Sequence, residues 1–404
     1  MKRWLSLLLA LMFAFSACAL AEPADATAID SSIGNQLGLD VLHQLYLYDQ
    51  QALFSPVSLT YALAMAAAGA RGDTLDELLA TLDIDELSLD ALGIAADSLN
   101  VRGAKSANAA FVSSDIALQD AYLGSLRGAL DAGIFSFSQL ENAKDEINAW
   151  AREKTDGMVD PLLADSLEPN LLLMLANAMA LDAKWRVPFD EDATQAGTFD
   201  APHGAVDVEY MRATRQMPYL QGETFQAVYL PYAQESLGMV VILPEAGRMY
   251  DTLDLLAANG LDLLDDMQNE TVALALPKLK MSASMDLTDA LQSLGLEKPF
   301  SAEADFSGMA EEGGLFISSV RQSAYLEVNE QGTRAAAATV VAMAGSALET
   351  EPPVDMTVNR PYILLVYDAE TNSILFAAVV SDPSIEPAAP AAPTCPSAVW
   401  WAWA

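Results

Sequence analysis

Between Glu330 and Ala347 the chain carries a segment whose local preferences disagree with one another. Gly332 permits a backbone pivot at the end of a preceding apolar stretch. Ala335, Ala336, Ala337 and Ala338 then favour helix by propensity, whereas Thr339-Val340-Val341 favour strand. Small side chains lose little entropy on burial, so a segment of this kind can live exposed and still slide into a crowded sheet. Taken alone, it can equally be an alanine-rich surface helix.

The rest of the chain supplies a framework for such a segment. At 404 residues, 52% of them hydrophobic, the chain is long enough for one large domain with a sizeable core. Ile33 to Tyr48 repeats apolar residues at three and four, as an amphipathic helix does. Phe54-Ser55-Pro56-Val57-Ser58 opens a second, very apolar helix through Ala70, with Ser55 as N-cap and Pro56 as first helical residue. Asp145 to Thr155 reads as another helix. Leu172 to Lys184, apolar with Asn177 in its middle, suits a buried strand. Val228–Leu230, Met239–Leu243, Val272–Leu276 and Ala324–Val328 are strand candidates, and Tyr362–Tyr367 with Ile374–Val380 form a closing hairpin. Helices dominate the first half and strands the second, which predicts an α+β domain.

The ends differ in character. Lys2 and Arg3 precede an apolar run from Trp4 to Phe15, and Ala19-Leu20-Ala21 offers a small-x-small cleavage site before Glu22. Residues 1–21 therefore read as an export signal and 22–30 as a flexible lead; lipidation at Cys18 is the rival reading. Residues 384–404 form an alanine- and proline-rich tail ending in Trp400, Trp401 and Trp403. The two cysteines are Cys18 and Cys395. If Cys18 leaves with the signal, Cys395 has no intramolecular partner and stability rests on burial.

Charge and motifs narrow the function. Against 56 acidic residues stand 20 lysines and arginines, a formal charge of −36, which argues against nucleic-acid binding. Such acidity serves solubility, or steers the chain towards basic partners. His43 falls beside apolar positions of the first helix, and His203 in a loop; neither has a nucleophile motif nearby. No HExxH, paired CxxC, Walker loop or GxGxxG sequence occurs. No catalytic residue, cofactor, metal or small-molecule substrate is expected.

With its flanks, the segment from Glu330 resembles the hinge and reactive loop of the serpin family of serine protease inhibitors. Other serpin-like motifs follow in the family's order. Asn35 precedes the first helix core, and Phe54-Ser55-Pro56-Val57-Ser58 matches the second helix. Asn177 with Lys184-Trp185 and Pro188-Phe189 matches a buried strand and its exit. Leu276-Pro277-Lys278 matches a further strand, and Ala304-Asp305-Phe306-Ser307-Gly308-Met309 a turn. Asn359-Arg360-Pro361-Tyr362 and Leu375-Phe376 match the C-terminal hairpin. The resemblance spans residues 31–383.

It implies helices packed around a large central mixed sheet, smaller sheets and an exposed reactive loop. It also implies a monomer that an extracellular serine protease attacks, the loop then inserting and trapping the acyl-enzyme in a covalent complex. Ser55, Ser58, Asn177 and Gln322 resemble the shutter beneath the opening strands. Trp185, Lys278 and Glu330 resemble the breach where insertion begins, with Lys278 and Glu330 as an ion pair. The hinge comprises Glu330, Gly332, Thr333, Ala335, Ala336, Ala337 and Ala338. Thr333, Ala335, Ala337 and Thr339 are expected to face the packed side of the sheet, and Arg334 to face solvent.

Three residues depart from the family pattern: Gln322 where histidine is frequent, Arg334 where glutamate is usual, and Ala378 where glycine is common. Counting seventeen residues from Glu330, as the family does, places the reactive bond between Ser346 and Ala347. That suits the shallow pocket of an elastase-like protease. A displaced cut at Met343 or Leu348 would instead invite chymotrypsin- or subtilisin-like enzymes. The alternative is a non-inhibitory serpin acting as a binding or carrier protein.

Overall fold

Buried apolar faces sort the chain into two sheets wrapped by helices. The computed structural model describes residues 33–48, 50–101, 103–163, 167, 171–311, 314–333 and 352–385. The first elements are α1 (Asn35–Tyr48), β1 (Ala52–Phe54), α2 (Pro56–Gly69), α3 (Gly72–Thr81), α4 (Leu89–Val101), β2 (Ala104–Ser113), α5 (Asp120–Leu130), β3 (Gly133–Phe137), α6 (Leu140–Lys154), β4 (Leu173–Leu181) and β5 (Ala183–Lys184). Then come β6 (Gln195–Ala201), β7 (Gly204–Gln221), β8 (Phe225–Pro231), β9 (Leu237–Pro244), α7 (Met249–Asn259), β10 (Gln268–Pro277), β11 (Leu279–Asp286) and α8 (Thr288–Ser293). Last are β12 (Ile317–Asn329), β13 (Gly332–Thr333), β14 (Val354–Thr357), β15 (Tyr362–Asp368) and β16 (Ser373–Val380).

Among the described residues one sheet runs β1-β16-β15-β9-β8-β7-β10-β14, with β6 beside β7. The other runs β3-β2-β4-β12-β13-β5, with β11 beside β12. Its middle strand β4 is buried along its whole length, and its two faces serve two cores. Leu173, Leu175, Met179 and Leu181 join the main core. Met174, Ala176 and Ala178 join a second core with Ile147, Trp150 and Ala151 of α6. The period of two that divides these residues is that of any strand.

Helix α2 lies in the main core. Ser55 caps it, its hydroxyl accepting from the Ser58 N–H at 3.2 Å, and Pro56 starts it. Every residue of α2 except Ala68 is buried, so the helix is apolar all round, as a central helix must be. Asn35 ties α1 to the hairpin β15–β16. Its amide donates to Asn372 O at 2.7 Å and its carbonyl accepts from Ile374 N at 2.9 Å.

Several boundaries differ from the sequence reading. Helix α6 begins at Leu140, five residues before Asp145. The strand expected over Leu172–Lys184 breaks at Asp182 into β4 and β5. Strands β2 and β7 were not anticipated, and β2 gives the first half a larger share of strand than expected.

Candidate functional site

Strands β4 and β12 lie side by side and parallel, with Leu175 opposite Val320, Asn177 opposite Gln322 and Ala180 opposite Tyr325. On the far side of β4, Asn108 of β2 stands opposite Asn177. Asn108, Asn177 and Gln322 thus form one polar row across three strands, on the face turned to α2. All three are buried, so each needs partners. Asn177 Nδ2 donates to Asn108 Oδ1 at 2.8 Å and to Ala107 O at 3.0 Å, both on β2. Gln322 turns the other way. Its Oε1 accepts from Ser55 N at 2.6 Å, and its Nε2 donates to Ser55 O at 3.0 Å. Ser58 Oγ donates to Met179 Sδ at 3.4 Å and lies 3.5 Å from Ser106 Oγ.

The partition matters mechanically. Asn177 is bonded to β2 and Gln322 to the start of α2, and among the described residues no side-chain hydrogen bond joins Asn177 to Gln322. At this level the seam between β4 and β12 is held by its backbone ladder and by packing. No side-chain hydrogen bond of either amide crosses the seam, and Asn177 Oδ1 is buried without a partner among the described residues.

Above the seam the strands diverge, and β13 enters between them. Gly332 and Thr333 pair antiparallel with Asn329 and Val328 of β12 on one side, and with Lys184 and Ala183 of β5 on the other. Gly332 has φ 152°, and a Cβ there would lie 2.7 Å from Lys184 Cα, so the close approach demands glycine. Thr333 is fully buried. Its hydroxyl meets that of Tyr232 at 2.6 Å. Tyr232 stacks on Trp185 with ring centroids 4.5 Å apart and planes at 8°, and Trp185 Nε1 donates to Asn329 O at 2.8 Å. Burial pushes the Tyr232 phenol far above its ordinary value, so it stays protonated.

The turn that leads into β13 is clamped by charge. Lys278 Nζ sits 2.9 Å from Glu330 Oε1 and 3.2 Å from Glu209 Oε2. Thr194 Oγ1 donates to the same Glu330 oxygen at 2.7 Å. Burial works against the charge on Glu330, but the hydrogen bonds from Lys278 and Thr194 outweigh it and hold its carboxyl below the usual range. Burial likewise opposes the Lys278 charge, and Glu330 with Glu209 overcomes it, raising the amine above its ordinary value. Asn329 Oδ1 accepts from the N–H groups of Gln331 and Gly332 at 3.0 and 3.2 Å, which fixes the turn.

The predicted site residues that are described therefore fall in two groups along one seam, some on its strands and some on the elements packed beside them. Ser55, Ser58, Asn177 and Gln322 surround the closed seam; Trp185, Lys278, Glu330, Gly332 and Thr333 surround its upper end. Arg334, Ala335, Ala336, Ala337, Ala338, Thr339, Met343, Ser346, Ala347 and Leu348 lie outside the described residues, as do residues 1–32, Cys18, Cys395 and the tail from 386. Sequence reasoning missed Asn108, Tyr232, Thr194 and Glu209. Asn108, a polar residue inside an alanine-rich run like Asn177, carried a signal; the other three became visible only through contact. His43 packs edge-on against Tyr250, and the exposed His203 lies 3.1 Å from Asp382.

The arrangement is a sheet with a closed parallel pair and a two-residue strand, Gly332–Thr333, beside its upper end. The sequence profile of the family described as Serpin (serine protease inhibitor) matches residues 32–383, and this chain belongs to that family. It is 34% identical over 364 residues to an uncharacterized serpin-like protein of Thermococcus kodakarensis, covering 86% of this chain and 84% of that protein. It is 31% identical to Iripin-5 of Ixodes ricinus, covering 86% and 93%. Among solved structures, human thyroxine-binding globulin complexed with its ligand superposes with a TM-score of 0.79 at 26% identity, covering 89% of this chain and 99% of that one. The thermophilic serpin Tengpin, in its native state, superposes with a TM-score of 0.79 at 26% identity, covering 89% and 95%. Serpins are in general inhibitors of proteases rather than catalysts, and thyroxine-binding globulin shows that the same fold also binds a small molecule.

Proposed function

We propose that this chain is an exported serine protease inhibitor that works as a suicide substrate. Residues 1–21 direct export and are removed, residues 31–383 form the inhibitory domain, and the mature protein acts as a soluble monomer. The target's serine attacks the carbonyl of Ser346 and expels the amine of Ala347, leaving an acyl-enzyme ester. Residues after Thr333 then enter the sheet between β4 and β12, carrying the tethered protease with them before water reaches the ester. Elastase-like enzymes fit the small residue at the cut, and subtilisin- or chymotrypsin-like enzymes fit a cut at Met343 or Leu348.

The observation that carries this reading is the position of β13. Its two residues already run antiparallel to both neighbours at the top of a closed parallel seam, which is the register an inserting strand extends. Next comes Arg334, expected to face solvent, and then Ala335 to Ala338, small enough to continue inward.

Incubation with neutrophil-type elastase and with subtilisin, followed by a denaturing gel, tests it. A band at the summed mass that survives boiling is expected. A clipped chain alone, with both proteases still active, ends the inhibitory reading. That outcome would favour a carrier on the same fold, the role to which the likeness to thyroxine-binding globulin points.

A further inference from the structure

The turn from β12 into β13 is a two-residue loop, Glu330-Gln331, between the paired Asn329 and Gly332. Loops of that length usually take a primed turn, with positive φ in the loop, because its twist matches that of the strands. Neither Glu330 nor Gln331 has a positive φ, so this backbone does not set the pairing by its own twist. A side chain supplies what the backbone lacks. Asn329 Oδ1 accepts from both Gln331 N and Gly332 N, at 3.0 and 3.2 Å, the Asx arrangement in which a side-chain oxygen mimics a backbone turn. The carbonyls of the turn are held as well. Trp185 Nε1 donates to Asn329 O at 2.8 Å, Phe189 N to Glu330 O at 2.8 Å and Trp185 N to Gln331 O at 2.9 Å. The start of a hairpin is therefore complete while the seam is still closed.

We infer that Asn329 is a positioning residue for insertion: its side chain presets the register in which the cleaved loop grows into the seam. The inference rests on the inhibitory reading and adds to it the residue that aims the strand. Ala183 and Val328, which flank Thr333, are as far apart in sequence as Asn177 and Gln322, which face each other across the seam. A strand continued from β13 thus meets β4 and β12 in a single frame. In that frame Ala335 falls between Leu181 and Leu326, and Ala337 between Met179 and Ala324, all residues of the main core. Shifted by one residue, the same strand turns every side chain over. Arg334 then comes to the core face, where an unpaired charge is costly. With the turn already made, the incoming strand extends an existing pair. Without it the first pair has to form during the lifetime of the acyl-enzyme, and can form one residue off.

The test compares the full chain with Asn329→Ala, Asn329→Ser and Asn329→Asp, each incubated with neutrophil-type elastase and with subtilisin. The rate of loop cleavage and the ratio of clipped chain to covalent complex are read from the same gels. Proteases attack the reactive bond and not the turn, so the cleavage rate should be the same in every variant. The ratio should rise about tenfold in Asn329→Ala, as slower insertion loses ground to hydrolysis by the worth of two modest hydrogen bonds. Asn329→Asp keeps the accepting oxygen and should partition as the unaltered chain does. Asn329→Ser, whose hydroxyl makes the same turn more weakly, should fall between them, and it carries the test should the alanine variant not fold. If the unaltered chain traps and the alanine and serine variants trap equally well, Asn329 has no such role and inhibition stands without it. An aspartate variant as impaired as the alanine one also overturns the role, since the accepting oxygen is then not what matters. An unaltered chain that is only clipped removes the inhibitory reading, and this inference with it.

Discussion

Thr333 and Glu330 are neighbours in sequence with opposite physical demands. Thr333 is buried against Tyr232, and a charged group there has no partner. Desolvation of an unpaired charge costs several kcal/mol, so Thr333→Arg should keep the end of β13 out of the sheet. The expected result is a folded protein that proteases cut normally but that yields at least about tenfold less covalent complex per cleavage, a factor worth about 1.4 kcal/mol. Thr333→Ser, which keeps the hydroxyl for Tyr232, should retain trapping; loss of trapping in both, or in neither, contradicts this role for the buried side chain. Glu330 instead needs its charge. Its carboxyl titrates below its unfolded value, so its contribution is fully present above the ordinary glutamate range near pH 4.3 and is lost as pH falls through the depressed folded value. The raised Lys278 amine acts in the other direction, contributing below the ordinary lysine range and losing that contribution only as pH rises through its elevated folded value. Thermal stability contributed by the pair should therefore be flat across neutral pH and fall in acid. Glu330→Gln should remove that acid-dependent part, and an unchanged acid slope in the variant would show that the pair does not carry it. Gln322 adds no slope of its own near neutrality, because an amide does not titrate where a histidine would.

Elements that bury one strong pattern were legible in the sequence. The Ser55-Pro56 start of α2, the apolar run of β4 and the hairpin β15–β16 all announced themselves through capping or continuous hydrophobicity. Strand β2 did not. Ala104–Ser113 has the composition of a helix, and only pairing with β4 along nine residues makes it extended, tertiary contact overriding propensity. Strand β7 hid for a different cause: its residues alternate between buried positions such as Met211 and Met217 and exposed charged ones such as Glu209, which dilutes any apolar run. The site divides in the same way. Asn177, Lys278 and Glu330 stand in motifs recognisable by eye, and Lys278 and Glu330 meet in space. Tyr232 and Thr194 belong to no motif; they matter through what they touch, and a single sequence does not encode in readable form that a residue after β8 meets Thr333 or that one before β6 meets Glu330. The partition of the polar row, Asn177 towards β2 and Gln322 towards α2, likewise depends on side-chain direction rather than residue type.

For the molecule as a whole, the energetic question raised by the proposed inhibition is what an added strand would gain by entering a sheet that is already closed. The parallel seam between β4 and β12 offers one backbone ladder. Parting it loses those hydrogen bonds once, but a strand between the separated edges regains a ladder on each side. The new pairs are antiparallel, as β13 already is to β12 and β5, and antiparallel pairing is slightly the more stable per residue. Each additional net bond contributes about 1 kcal/mol, and the buried methyls of the alanines add to it. On the proposed mechanism the intact fold is a state held by kinetics, since the seam must open before any gain accrues. Cutting the loop without a trapping protease should release that gain. A purified chain nicked between Ser346 and Ala347 is expected to melt at least about 10 °C above the intact protein. In hydrogen exchange its β4 and β12 amides should be more protected than before. If the nicked chain melts at the same temperature, with those amides exchanging as they did in the intact protein, the severed strand has stayed outside and the closed seam is the molecule's resting end state.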